Sequence, residues 1–206
     1  PAYMNSQTKL PICTIAIVVV NIVVFLILSN TGEVESGLYM MRHGAMYVPA
    51  VLAGDYYTLV TSMFLHFSFP HLFNNMLLLL VLGRYVEEEA GKIKFLIIYF
   101  FGGIAGNVLS MLMDINSGEF AVSAGASGAI FGLIGALIYM AIYNHGHIAD
   151  LSQRGLMFMA VLSLYFGFTS SGVDNFAHLG GLIGGYLRSV LVYRKRNDKN
   201  SAFGQF

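Results

Sequence analysis

The chain has 206 residues, of which 56% are hydrophobic and 11% charged, and its acidic and basic side chains balance to a formal net charge of zero. Soluble domains carry about 25% charged residues, so this composition excludes an ordinary soluble domain, and the absent net charge removes any global electrostatic argument for nucleic acid. The single cysteine, Cys13, excludes an internal disulfide and a cysteine-built metal cluster.

Crossing a hydrocarbon core takes about 20 mostly apolar residues in a helix. Six stretches approach that length: 10–29, 70–86, 93–113, 127–143, 155–170 and 175–193. The first residue is Pro1, so we expect the natural chain to begin earlier. The run from Leu10 is too long for a signal-peptide core and shows no clear cleavage site, so it reads as a retained helix. The connection 30–69 is amphipathic and aromatic ("GLYMMRHGAMYVPAVLAGDYYTLVTSMFLHFSF") and reads as an ordered loop with short helices, partly sunk in the interface. With Trp absent, Tyr must supply most of any interfacial belt. A basic tail, 194–206, ends the chain. The expected fold class is an all-α membrane protein, a six-transmembrane-helix bundle with a long interfacial first loop, forming one domain over 1–206.

Lys and Arg collect on the cytoplasmic side of membranes. With the N-terminus inside, Lys9, Arg84, Lys92, Lys94, Arg154, Arg188, Arg194, Lys195, Arg196 and Lys199 lie near the inner face, and only Arg42 falls outside. Both termini are then cytoplasmic. Segments two, four and six all start at the outer face. Their polar residues, His71 and Asn75, Ser127, and His178, are thereby expected at a similar depth.

Ser127 stands in "AVSAGASGAIFGLIGAL". One reading is helix packing, because Gly128 and Gly132 form a GxxxG pair that lets membrane helices approach; a serine at a helix start can also cap it. The other reading is a nucleophile. The GxSxG elbow of soluble hydrolases is not matched, since Ala129 takes the last glycine position. His178, in "NFAHLGGLIGGYL", shares a helix face with Gly181 and Gly185. Such a face suits close approach by the glycines at 128, 132 and 135, which would carry the imidazole toward the Ser127 hydroxyl. A buried histidine can simply bond a backbone carbonyl, but an ionisable residue inside a membrane segment points to function.

His71 and Asn75, in "HFSFPHLFNNMLLLL", are four apart and share a face. Two donors aimed at one point can stabilise an oxyanion, with the Ser127 backbone N–H, unpaired at a helix start, as a third. Metal binding by His66, His71 and His178 is the alternative, but no HExxH motif is present and no carboxylate accompanies them at ligand spacing. His66 reads as structural. Asp174 precedes His178 by four residues and is expected at the membrane surface, so a serine–histidine dyad is favoured over a triad. No cofactor and no metal are expected.

These residues resemble the rhomboid family of intramembrane serine proteases. The resemblance rests on "HLFNN" from His71, "LGRYVE" from Leu82, "GASG" around Ser127 and "AHLGGLIGG" from Ala177, in the family's order. It implies a six-helix bundle of rhomboid type, Ser127 as nucleophile and His178 as general base and then acid. It implies an oxyanion hole of His71, Asn75 and the Ser127 N–H, with Gly125, Ala126 and Phe131 packing the histidine or lining the substrate pocket. Phe131, four residues after the serine, can stack on the imidazole but cannot donate a hydrogen bond. The family commonly carries a Trp-Arg or similar pair where this chain has Tyr57 and Thr58, so the family's loop anchor is not matched. Glu87 matches a structural carboxylate far from the serine. The implied activity is cleavage of transmembrane segments of single-span proteins near the outer face of a cell membrane, so partners would be transmembrane-helix substrates and lipid. Entry would be lateral, beside segment five, whose outer end carries Tyr165, Phe166 and Phe168. The competing classes are a non-catalytic binder of transmembrane helices and a small transporter; the latter usually shows an internal repeat, which is not seen here.

Overall fold

A computed structural model describes residues 10–169 and 172–194. Lys9, Lys195, Arg196, Lys199 and the tail from 195 onward lie outside the described residues, as does Ser170 at the end of the fifth segment. In chain order the elements are α1 (Ile12–Thr31), α2 (Gly37–Arg42), β1 (Met46–Tyr47), α3 (Val48–Leu52), α4 (Thr58–Thr61), a 3-10 turn (Ser62–Phe64), α5 (Phe69–Ala90), α6 (Lys92–Ser117), β2 (Val122–Ser123), α7 (Ser127–Tyr143), β3 (His147–Ile148), β4 (Leu151–Ser152), α8 (Gln153–Thr169) and α9 (Asn175–Val192). The protein is predominantly helical. The all-α expectation is amended by two short antiparallel pairings, β1 with β2 and β3 with β4.

By length and composition, α1 and α6 are long and apolar enough to cross a membrane, and α4 with its 3-10 extension and α5 would make a third span bent by 94°. Helix α7 is apolar but only 17 residues long. It is apolar all round because it is central: every residue from Gly128 to Leu137 is buried. A helix with no polar face must be enclosed on all sides. Helices α5, α6, α8 and α9 supply that enclosure. Helix α5 instead buries one stripe, with Leu72, Asn75, Met76, Leu79, Leu82, Gly83 and Val86 inward. It runs to Ala90, past the apolar stretch, because Glu87 and Ala90 are still on the buried face, and it stops at Gly91 with φ of 89°.

Polar ties fix the helix directions. Glu87 accepts from the backbone N–H of Cys13 and Thr14 (3.0 and 2.8 Å) and from the Thr14 hydroxyl (2.8 Å), so α1 starts where α5 ends. The Tyr193 hydroxyl bonds Glu89 and receives the Asn144 amide, which gathers the C-terminal ends of α5, α7 and α9. These three helices therefore run in one direction and begin at the opposite end.

The seam among α6, α7 and α9 is made of backbone. A Cβ added at Gly181 would overlap the Gly128 carbonyl, one at Gly185 the Gly132 carbonyl, and one at Gly135 the Leu182 carbonyl. Gly102 of α6 faces Gly132, with a Cβ there 2.9 Å from the Gly132 Cα. Gly106 meets the Ala177 carbonyl. Small residues allow this proximity in membrane helices.

Candidate active site

Ser127 opens α7 and His178 lies in the first turn of α9, so both sit at the end where α5, α7 and α9 begin. The glycine seam brings the helices close enough that the His178 Nε2 and the Ser127 Oγ are 2.9 Å apart. For the hydroxyl to donate, Nε2 must be unprotonated and the proton must reside on Nδ1. That Nδ1 is buried and has no hydrogen-bond partner among the described residues. What holds the ring is Phe131, stacked on it with centroids 4.3 Å apart and planes inclined by 11°. Phe131 is one turn after Ser127, so the helix that carries the hydroxyl also carries the ring's support.

The segment ahead of Ser127 is clamped by the first loop. Met46 and Tyr47 pair with Ser123 and Val122. The Gly125 N–H donates to the Ser62 carbonyl at 2.9 Å, and the Ala126 N–H reaches the His66 Nε2 at 3.5 Å. Gly125 has φ of 139°, a conformation that favours glycine. A Cβ there would come within 2.9 Å of the His71 Nε2 and 3.8 Å of the Asn75 Nδ2. His71 and Asn75 therefore converge on the space in front of Gly125, two residues before the nucleophile candidate. Asn75 is buried and its Nδ2 has no partner among the described residues, so its N–H groups are free to meet an acceptor. Ser68 caps α5 through the His71 N–H at 3.3 Å, which sets where that turn begins. The Ser127 N–H, first in α7, has no acceptor within its own helix.

His66 lies in the loop, buried, with its ring edge-on to His71 at 4.9 Å between centroids. Burial, reinforced by the neighbouring His71, pulls its pKa from 6.5 down to about 3, so it is a neutral ring at physiological pH. Among the described residues no group of three or more His, Cys, Asp and Glu is placed to hold a metal ion, and His66, His71 and His178 do not form one.

Asp174 does not bond the imidazole. It caps α9, accepting from the Ala177 N–H at 2.9 Å, and also receives the Ser110 and Ser123 hydroxyls. Thr58 is buried and bonds the Asp55 carbonyl at 2.7 Å, while Tyr57 is exposed. The first loop is also tied to α6: the Asn107 amide donates to the Leu59 carbonyl at 2.8 Å and the Ser62 hydroxyl at 3.0 Å. Sequence reasoning overlooked Asn107; an amide inside the apolar run "FFGGIAGNVL" was its signal.

A family model described as the Rhomboid domain matches residues 53–195. Rhomboid protease GluP of Bacillus subtilis (strain 168) is 34% identical over 199 residues, which is 97% of this chain and 38% of that protein. Putative rhomboid protease YdcA of the same organism is 31% identical over 149 residues, 72% of this chain and 73% of that protein. Rhomboid-like protease 3 of Toxoplasma gondii is 35% identical over 185 residues, 87% of this chain and 68% of that protein. The chain thus spans between about two fifths and three quarters of the length of these relatives.

Proposed function

This chain belongs to the rhomboid family, and we propose that it is a serine-type intramembrane endopeptidase that works through a Ser127–His178 dyad. The observation that carries the reading is the 2.9 Å approach of the His178 Nε2 to the Ser127 Oγ beside two convergent side-chain donors. A nucleophile and its base need about 2.6–3.2 Å.

The geometry supports the following reaction. Ser127 Oγ attacks the scissile carbonyl while His178 Nε2 takes its proton. The tetrahedral oxyanion is met by the Ser127 N–H, the Asn75 Nδ2–H and the His71 Nε2–H, groups already oriented before charge develops. The imidazolium then gives its proton to the leaving amine, and the bond between carbonyl carbon and nitrogen breaks. Water, deprotonated by His178, hydrolyses the acyl-enzyme and restores the serine. Without a carboxylate on Nδ1, Phe131 keeps the ring in plane by stacking.

In this reading the six long helices each cross the membrane and the dyad lies just below the outer face, with both termini cytoplasmic. The common direction of α5, α7 and α9 supports that arrangement. The protein would then be a multi-pass protein of a cell membrane, acting on transmembrane segments of single-span proteins. A helical substrate must unwind locally, because its own hydrogen bonds shield the scissile carbonyl, and we expect Gly or Pro near the cut. Entry beside α8 is supported by its exposed Tyr165, Phe166 and Phe168. Cleavage of a panel of single-span membrane proteins, with mass mapping of the products, tests the proposal. Cuts close to one membrane face and lost with Ser127→Ala are expected; a panel left intact by unblocked protein, a sample of which reacts with a fluorophosphonate at Ser127, would sink the substrate class.

A further inference from the structure

The glycine seam explains how closely α9 approaches α7, but not what holds the start of α9 in place. The Tyr193 ties hold the far end of α9, whereas His178 stands at its start. An error of about 1 Å in a catalytic pair can cost on the order of 10²-fold in rate. The approach of His178 to Ser127 therefore needs a latch near the start of α9. The preceding helix meets the start of α9 where Gly167 packs against Asn175, whose Oδ1 has no hydrogen-bond partner among the described residues.

The latch is a carboxylate. One Asp174 oxygen accepts from the Ser110 hydroxyl at 2.6 Å and from the Ser123 hydroxyl at 2.9 Å; the other accepts from the Ala177 N–H at 2.9 Å. The Asp174 backbone carbonyl receives the His178 N–H at 3.2 Å. Ser110 belongs to α6 and Ser123 to β2, four residues before Ser127. β2 is in turn held by β1. A residue directly bonded to the backbone of His178 is thus bonded to the strand that delivers Ser127. We propose that Asp174 is a positioning residue of the dyad, joining the start of α9 to α6 and β2 and so setting the distance between His178 and Ser127. A plain N-cap would need only the Ala177 N–H. The hydroxyls of Ser110 and Ser123 exceed that need.

This inference rests on the proteolytic reading, and its test separates the two. Asp174→Ala, Asp174→Asn and the double variant Ser110→Ala/Ser123→Ala are compared with the full chain in detergent. Hydrogen exchange and cleavage kinetics are read on each. In Asp174→Ala, exchange should rise together at 121–126 and 175–180, and kcat should fall about 10²-fold with KM within about twofold. Asp174→Asn should recover to within about fivefold of the parent, since Asn caps equally well and its amide can still bond a hydroxyl. The double serine variant keeps the cap, so 175–178 should stay protected while 121–126 opens and kcat falls about tenfold. Exchange confined to 175–178 in Asp174→Ala, or parent kcat in the double serine variant, would reduce Asp174 to a helix cap and overturn the proposal. If the parent neither cleaves nor labels with a fluorophosphonate, the proteolytic reading falls, while the exchange patterns still decide whether Asp174 couples the two segments.

Discussion

The α6–α7–α9 trio and helix α8 are built on opposite principles. In the trio, glycines place backbone against backbone, and a methyl group at Gly181 or Gly185 has nowhere to go. Helix α8 touches the same bundle with few buried residues and turns Phe158, Val161, Tyr165, Phe166 and Phe168 outward. The candidate chemistry sits on the tight side, and the route to it is proposed on the loose side. A hydrogen bond of 2.9 Å between side chains on two helices demands a rigid frame, whereas admitting a substrate helix demands a wall that can yield. In the proposed reading the two demands fall on different helices.

Substituting across the tight seam should have the largest effect. Gly185→Val forces a branched side chain into the Gly132 backbone and should cost more than about 3 kcal/mol, at the upper end of overpacking penalties. Thermal unfolding in detergent would show it, with fluorophosphonate labelling lost in parallel. Within the site, Asn75→Ala should lower kcat by about 10²-fold with little change in KM, as expected for one oxyanion donor; unchanged kcat would assign Asn75 a structural role. Phe131→Ala removes a stacked ring worth about 0.5–1.5 kcal/mol, so the labelling rate should fall about 2- to 10-fold.

A smaller effect is expected from pH. The folded pKa of His66, about 3, lies below its unfolded value of 6.5. The unfolded state therefore binds more protons below pH 6.5, and His66's contribution to stability, full above that pH, is lost as pH falls toward 3. Unfolding temperatures measured from pH 7.5 to 4.5 should fall more steeply for the parent than for His66→Gln. Equal slopes would mean that the ring is not held neutral. The smallest effect belongs to the loose side: Phe158→Ala on α8 should change stability by no more than about 0.5 kcal/mol. A large loss there would erase the contrast between the two regions.

Much of this architecture was legible in the sequence because helices advertise themselves by length and apolarity. The α7 run, and the spacing of Gly181 and Gly185 behind His178, can be read from a single chain. Cross-chain ties cannot. Asp174 reads as a surface residue until the rotation of α6 and the pairing of β2 bring Ser110 and Ser123 to it, from 64 and 51 positions away. The tie between the first loop and α6 follows the same logic: Asn107 lies 45 positions from the hydroxyl it bonds. Glu87 was recognisable as structural, yet its partners at the start of α1 depend on antiparallel packing of the two helices. The β1–β2 pairing was also invisible, since two-residue strands carry no periodic signal.

The most direct test of the central claim is covalent labelling of the full chain in detergent with a fluorophosphonate, followed by mass mapping of the modified residue. The account predicts one adduct, on Ser127, formed by the parent and lost or slowed at least about 10²-fold in His178→Ala. An adduct elsewhere, or equal labelling of Ser127 without His178, would contradict it.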